Sequence, residues 1–172
     1  TGSDFGIWSP DQKSVSKHKI AARATSVSWT SDGQLLAIGQ FDGCVSVRQK
    51  DGVEKVLIRR AGGSPVWSVH FNPATEEGDD VLSVGCWDGT LSFYQLNGMQ
   101  VGDDRVLRFD PCSVSYFGGG DYVIVGGTDK TTRLCSKEGT VLTTVCERGS
   151  WVWCARARPG HNAIAVGSED GS

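Results

Sequence analysis

The sequence predicts an all-β fold, an incomplete β-propeller arc of about four blades, and three observations lead to this prediction. Glycine accounts for 23 of the 172 residues, well above its usual share of roughly 7%, whereas proline occurs only 5 times. Four apolar segments end in a similar pattern, and their aligned glycines lie 46, 41 and 41 residues apart, at Gly39, Gly85, Gly126 and Gly167. A period of about 40 to 45 residues is the length of one four-stranded propeller blade.

The same four elements recur in each unit. The first strand ends in an apolar or aromatic residue, as in Val27 to Trp29, and a polar turn leads to a nearly continuous apolar run such as Leu35 to Ile38. A strand without polar alternation indicates that both faces of its sheet are covered. An Asp-Gly turn opens the third strand, and a second turn opens the outer strand, predicted at Glu54 to Arg59, Met99 to Val106 and Thr140 to Val145.

These elements divide the chain into the end of a preceding blade at 1–19, blades at 20–60, 61–106 and 107–145, and a truncated blade at 146–172. The chain starts inside a strand and stops in a turn, so unpaired sheet edges are expected at both ends. We assign a structural role in the repeat turns to Gly39, Asp42, Gly43, Gly85, Asp88, Gly89, Gly126, Asp129, Gly167, Asp170 and Gly171.

Composition excludes several classes of function. Lys and Arg number 17 against 20 Asp and Glu, and the resulting net charge of −3 argues against nucleic-acid partners. The longest apolar runs are far shorter than the roughly 20 residues that cross a bilayer, so direct membrane insertion is not expected. The six cysteines form no Cys-x-x-Cys pair, which favours reduced thiols in a cytosolic protein.

No motif of catalysis, cofactor binding or metal ligation emerges from the sequence. The glycine-rich segment Gly126 to Thr131 has Asp129 where a phosphate-binding loop needs glycine before its lysine, and strands flank it. The histidines lack partners at ligand spacing, so His70 is interpreted as a strand residue and His18 and His161 as surface residues. We expect a protein that is not an enzyme and has no cofactor.

Tryptophan and arginine in the loops before the first strands are the candidate partner contacts. Trp67 and Trp153 occupy the same repeat position, at the start of a first strand. Together, Trp and Arg are typical of binding hot spots, and the set proposed for partner contact is Arg59, Arg60, Trp67, Arg148, Trp151 and Trp153. Packing between blades is the alternative that we favour for Trp67 and Trp153. The acidic insert at 74–80 is interpreted as a solvated loop.

The repeats resemble those of the WD40 family over the whole chain, with clear departures. The family's Gly-His dipeptide is absent, and the one Trp-Asp dipeptide, Trp87-Asp88, falls in a turn. The third strands close instead in Arg48-Gln49, Tyr94-Gln95 and Cys135-Ser136. The aspartate of the family's buried hydrogen-bond tetrad has counterparts in the repeat, whereas its histidine and most of its tryptophans do not. The resemblance therefore implies blade packing that depends on apolar burial.

A closer resemblance concerns four stretches outside the generic repeat: Asp4 to Lys19, Ser92 to Gly102, Phe109 to Phe117, and Gly149 to Pro159. They resemble the first propeller of a WD-repeat subunit of intraflagellar transport complex A. The resemblance implies a non-catalytic scaffold in retrograde ciliary transport, cilium assembly and ciliary receptor trafficking. It further implies other complex A subunits and cargo adaptors as partners, and a location in the cytoplasm, the cilium and the ciliary basal body. A WD-repeat subunit of another vesicle-coat-like trafficking complex and a propeller enzyme are the alternatives.

Overall fold

The computed structural model describes residues 2–74 and 81–172, and its regular structure there is almost entirely antiparallel β-sheet. Two short sheets flank three four-stranded sheets. The first short sheet contains β1 (Asp4–Ile7) and β2 (Ser16–Lys19), and the last contains β15 (Val152–Ala157) and β16 (Ile164–Ser168). Between them lie the sheets β3 (Ala24–Trp29), β4 (Leu35–Gln40), β5 (Cys44–Gln49), β6 (Glu54–Arg59); β7 (Val66–Phe71), β8 (Val81–Cys86), β9 (Thr90–Gln95), β10 (Arg105–Val106); and β11 (Pro111–Phe117), β12 (Tyr122–Gly127), β13 (Thr131–Ser136), β14 (Val141–Glu147). The prediction of an all-β propeller arc is confirmed.

The hydrophobic core is distributed between the sheets rather than gathered in one centre. A cluster that includes Leu35, Val45 and Val69 joins the first and second four-stranded sheets. A second cluster, with Leu91 and Val125 among its members, joins the second and third. Every residue of β4 is buried because neighbouring sheets cover both of its faces. Each fully buried aliphatic side chain of this kind contributes about 1.5–3 kcal/mol, so face-to-face stacking of the blades is a main source of stability.

The first strands of neighbouring sheets, β3, β7, β11 and β15, run side by side in one direction, and we call them the inner strands. Serine hydroxyls connect each inner strand to the next by accepting a backbone N–H at 2.9 to 3.0 Å: Ser28 from Phe71, Ser68 from Val114, and Ser113 from Ala155. Because equivalent positions face one another, all inner strands start at one face of the arc and end at the opposite face.

The aligned glycines of the repeat lie within the second strands, where they allow the next blade to approach closely. A Cβ atom at Gly39 would lie 2.9 Å from Val66 Cγ1, one at Gly85 would lie 2.8 Å from Val114 Cγ2, and one at Gly126 would lie 2.5 Å from Val152 Cγ1. The turn glycines serve a different purpose, since Gly43, Gly89 and Gly171 have φ of +85°, +75° and +83°.

The prediction of an outer strand from Met99 to Val106 is wrong over most of that range, since β10 covers only Arg105–Val106. Only Arg105 and Val106 form a strand with β9. Met99 to Val101 reach β9 through one isolated bridge, Gln100 to Tyr94, and through a 2.8 Å bond from the Val101 N–H to the Phe93 carbonyl. Gly102 has a φ of +68°, which turns the chain away from the ladder. Asp104 Oδ1 accepts hydrogen bonds from Ser92 Oγ at 2.6 Å and Gln100 Nε2 at 2.7 Å, so side-chain bonds replace backbone pairing between Val101 and Arg105.

All six cysteines are free thiols in the structure. Cys112 and Cys135 lie in the core, and burial raises the pKa of the Cys112 thiol to about 12 and that of Cys135 to about 11. These two side chains therefore behave as small hydrophobic residues. Within 2–74 and 81–172, no helix has the length and apolar character needed to span a bilayer.

Candidate partner-binding face

Four tryptophans gather at the face where the inner strands start, and we call this group, Trp67, Trp87, Trp151 and Trp153, the tryptophan cluster. The rings of Trp67 and Trp87 are stacked, with centroids 4.2 Å apart and an interplanar angle of 13°. Trp153 lies 6.1 Å from Trp67 and 5.6 Å from Trp151, with tilted rings in both cases. Residues from two sheets, together with a turn and a loop beside them, thus form one continuous aromatic row.

The inner strands position the centre of this row. Trp67 is the second residue of β7 and Trp153 the second residue of β15, while β11 lies between these strands. Cys112 occupies the equivalent place on β11. Its small side chain leaves room for the two indole rings to meet across that strand.

The turns and loops hold the two ends of the row. The backbone N–H of Trp87 donates to the Pro65 carbonyl at 2.9 Å, which fixes the β8–β9 turn beside the loop that leads into β7. The Trp151 carbonyl accepts a bond of 3.0 Å from the backbone N–H of Glu169. Trp151 is 39% exposed, while the other three rings are half-buried, so the row presents aromatic surface to solvent.

Arg60 was predicted to contact a partner, but in the structure its side chain is buried within the chain. Its side chain is only 4% exposed, and its guanidinium lies 3.3 Å from Asp88 Oδ2 and 3.4 Å from Asp104 Oδ2. The same guanidinium donates to three hydroxyl groups, those of Thr90, Ser92 and Tyr94. Its charge is used within the chain, between the loop before β7 and strand β9.

This Arg60 network occupies the place of the WD40 tetrad with different residue types. Arg60 lies in the loop where the family has histidine, Tyr94 lies near the end of the third strand where the family has tryptophan, and Asp88 is the turn aspartate. Burial opposes ionisation of Asp88, but the hydrogen bond from Thr90 and the charge of Arg60 outweigh it and lower its pKa. The expectation that blade packing depends on apolar burial is therefore incomplete, since this blade also carries an ionic network around the buried Arg60.

Arg59 and Arg148 remain exposed. Arg148 lies three residues before Trp151, and its backbone N–H is bonded to the Lys130 carbonyl at 2.9 Å. Neither arginine forms an ion pair with a described carboxylate. Of the predicted set, the structure brings together Trp67, Trp151 and Trp153 with Arg148 in the adjoining loop, and places Arg59 at the end of β6, one blade away.

Trp87 is the residue that sequence reasoning missed. Its place in a turn suggested only a displaced Trp-Asp dipeptide, and stacking with Trp67 depends on the distance between a turn and the start of β7. The signal available in the sequence was its position three residues before the first residue of β9, on the same face as the loops before the inner strands.

The aspartates of the repeat turns have one shared function. Each accepts the backbone N–H two residues later at 3.1 or 3.2 Å: Asp42 from Cys44, Asp88 from Thr90, Asp129 from Thr131, and Asp170 from Ser172. This bond fixes the tight turn between the second and third strands. The strands β12 and β13 flank the turn at Asp129, so Gly126 to Thr131 is a hairpin and opens no helix.

The histidines lie in three different environments. His70 is half-buried in β7, His161 is exposed, and His18 stacks on Phe5 with centroids 5.2 Å apart, so the expectation of a surface position fails for His18. Across the described residues no group of His, Cys, Asp and Glu is arranged to hold a metal ion. Most of the acidic insert, residues 75–80, lies outside the described residues.

Comparison with known proteins agrees with this architecture. A family model described as "IFT122 first beta-propeller" matches residues 1–172. Proteins named intraflagellar transport protein 122 homolog are 53% identical in Xenopus tropicalis and in Mus musculus, and 39% identical in Homo sapiens, over the whole of this chain. The chain spans only 15 to 19% of the length of these relatives. It belongs to the family of IFT122 first β-propellers.

Proposed function

We propose that this propeller is a non-catalytic, protein-binding part of a subunit of intraflagellar transport complex A, and that the tryptophan cluster is its main contact surface. The proposed partners are other complex A subunits and cargo adaptors. The corresponding role is in retrograde ciliary transport, cilium assembly and ciliary receptor trafficking, with the protein in the cytoplasm, the cilium and the ciliary basal body. The family of the chain supports the transport role, and the aromatic row supports the choice of surface.

The chemistry of the face is that of a binding surface. Large rigid aromatic rings contribute contact area at a low cost in side-chain entropy, and Trp and Arg dominate measured hot spots. The row joins rings from two sheets that both pack against β11, so their relative positions are set before any partner arrives. Preorganisation of this kind lowers the entropic cost of binding.

The charged groups around the row support a non-catalytic role. The nearby carboxylate of Asp88 accepts the N–H of Thr90 and pairs with Arg60. Asp170 likewise accepts bonds from the backbone and hydroxyl of Ser172, which together with Ser168 lower its pKa to about 2. Both carboxylates are thus ionised at neutral pH and occupied in turns, which suits a structural role better than proton transfer.

The experiment that tests this proposal replaces two rings in the full-length protein. Cells that lack the endogenous protein would express the wild type or a Trp151→Ala, Trp153→Ala variant, and quantitative mass spectrometry would measure the proteins that co-purify. We expect at least one complex A subunit or cargo adaptor to fall by about tenfold or more, since hot-spot truncations cost about 2 kcal/mol or more each.

Trp29→Ala is the matched control. Trp29 is 42% exposed, similar to Trp151, but lies at the end of an inner strand rather than at its start. Its replacement should leave the co-purified proteins unchanged. Full recovery of every complex A subunit and cargo adaptor by the double variant would refute the choice of surface. Recovery of subunits of another coat-like complex by the wild type would instead refute the choice of assembly.

A further inference from the structure

A cavity of about 450 Å³ lies where the inner strands end, opposite the tryptophan cluster. Its walls come from β7, β11 and β15 and the loops that follow them. From Trp153 to Arg156 the strand advances three residues, or roughly 10 Å, so the two surfaces do not share side chains. Its lining residues include His70, Phe117, Arg156, Arg158, Pro159 and His161.

Among the described residues, the charged groups that line this cavity are all basic. Arg156, Arg158 and His161 line it, whereas no aspartate or glutamate is among the described lining residues. Neither arginine forms an ion pair within the described part of the chain. Since the whole chain carries a net charge of −3, this concentration of basic groups is a local feature and does not reflect the average composition.

Within 2–74 and 81–172, the guanidinium of Arg156 is held in place by neutral groups and pairs with no carboxylate. Its Nη1 donates to Ser113 Oγ and to the Val114 carbonyl, both at 3.0 Å. These partners are neutral, so the positive charge remains available to a ligand. A cation that is already positioned loses less side-chain entropy on binding than a mobile surface lysine.

His70 forms part of the cavity wall, and the charge of Arg156 affects its pKa. Its Nδ1 donates to the Phe71 carbonyl at 2.9 Å, and its ring packs at 5.9 Å from Tyr116. Burial, and then the nearby charge of Arg156, lower the pKa of His70. The imidazole is therefore neutral at pH 7, and the two arginines dominate the charge of the cavity.

The remaining walls are apolar and open. Phe117, Ala157 and Pro159 provide apolar surface beside the guanidinium groups. Gly118 and Gly119 have φ of +63° and +74° and carry no side chain, which leaves that side of the cavity accessible. A suitable ligand therefore combines carboxylates with apolar side chains.

We propose that this cavity binds an acidic peptide segment of a partner protein, with carboxylates against Arg156 and Arg158 and apolar side chains against Phe117 and Pro159. Bidentate bonds between guanidinium and carboxylate groups would supply orientation. An anionic membrane is a poorer match, because membrane-binding surfaces usually carry clusters of 4 to 8 Lys and Arg, and this site is a recess with two arginines. The inference shares with the proposed function only that the ligand is a protein.

Fluorescence anisotropy with the full-length protein tests this proposal. The probe is a fluorescein-labelled peptide in which Asp-Glu pairs alternate with Phe and Pro, and a twin with Asn and Gln in place of the acids controls for charge. The variant is Arg158→Gln with His161→Gln, because both side chains are exposed and neither makes a hydrogen bond within the described residues. We expect at least a tenfold loss of affinity in this variant and for the uncharged twin.

Two further variants separate this site from the tryptophan cluster. Arg148→Gln removes an exposed arginine from the opposite face and should leave the affinity for the acidic peptide unchanged, as should the Trp151→Ala, Trp153→Ala variant. Equal binding of the acidic peptide and its twin would overturn the proposal. It would also be overturned if vesicles with phosphatidylserine bound through Arg158 and His161 while the peptide did not.

Discussion

At the scale of single residues, Arg60 shows that a network like the hydrogen-bond tetrad of WD40 repeats can form from different residue types. A histidine can bridge two partners, whereas the planar guanidinium of arginine has five N–H donors arranged as a fork. Arg60 uses this capacity to reach two carboxylates and three hydroxyl groups around β9. A buried ion is tolerated only when such partners replace its water, and here they are present.

Replacing Arg60 by alanine should therefore destabilise the second four-stranded sheet. Asp88 and Asp104 would lose their partner, but both remain partly exposed, so solvent limits the loss to about 2 kcal/mol. Urea unfolding monitored by tryptophan fluorescence would measure the change. The adjacent, exposed Arg59 is the matched control, and Arg59→Ala should change the free energy of unfolding by less than about 0.5 kcal/mol. Equal effects of the two substitutions would contradict the assigned role of Arg60.

The lowered pKa of His70 predicts how the stability of β7 depends on pH. Its pKa in the folded chain lies below the ordinary value of 6.5, so the unfolded chain binds a proton first as the pH falls. Stability should be unaffected above about pH 7 and should decrease as the pH falls through 6.5. Hydrogen exchange of the β7 peptide, corrected for intrinsic rates, would detect this decrease, which should be smaller in His70→Asn. An equal decrease in both proteins would exclude His70 as the cause.

At the scale of elements, close packing of each second strand against the next inner strand explains the spacing of the repeat. Each of three aligned glycines lies against a valine on the inner strand of the next blade: Gly39 against Val66, Gly85 against Val114, and Gly126 against Val152. The sequence showed the period and the apolar runs because these follow from burial on both faces. It did not show the valine partners, since they lie one blade further along the chain.

A methyl group placed in this contact should lower the free energy of unfolding. In Gly85→Ala the new Cβ would lie 2.8 Å from Val114 Cγ2 and 3.2 Å from Pro111, so we expect a loss of about 1–3 kcal/mol from overpacking. Gly167→Ala is the control in the 172-residue chain, because the nearest atom to its new Cβ would be 4.0 Å away, at Cys154. Urea midpoints of the two variants would decide the matter, and a loss at Gly167 as large as that at Gly85 would argue against the glycine–valine contact.

The outer strand before β11 shows where pattern reasoning fails at this scale. The repeat order and the preceding turn predicted a strand from Met99 to Val106, but side-chain acceptors compete with the backbone ladder. Asp104 binds Ser92 and Gln100 and also faces Arg60, so the pairing with β9 is interrupted between Val101 and Arg105. A prediction of this break would have required knowledge that Arg60, from the preceding loop, reaches this blade.

At the scale of the whole molecule, the stacking of sheets creates surfaces that no single repeat contains. The tryptophan cluster combines a turn, a loop and two inner strands from different sheets. Sequence position identified Trp67 and Trp153 because they share a repeat register, and Trp151 because it lies in a loop. It could not identify Trp87, whose role depends on the distance between β7 and a neighbouring turn.

The basic cavity, like the tryptophan cluster, is formed by residues from more than one sheet. A net charge of −3 gives no indication of a basic cavity, since composition averages over the whole surface. Arg156 and Arg158 come from β15 and the loop after it, while the other walls come from two preceding sheets. The arc thus has an aromatic face where its inner strands start and a basic cavity where they end, and we expect the two to bind different protein segments.

Site-specific photo-crosslinking in ciliated cells tests the claim that the tryptophan cluster is where this propeller contacts its partners. A photo-reactive phenylalanine would replace Trp151 in the full-length protein, and in a second sample Trp29, whose exposure is similar. We predict that position 151 crosslinks to a complex A subunit or a cargo adaptor, and that position 29 does not crosslink to the same protein. Crosslinking to that protein from position 29, with none from position 151, would contradict the claim.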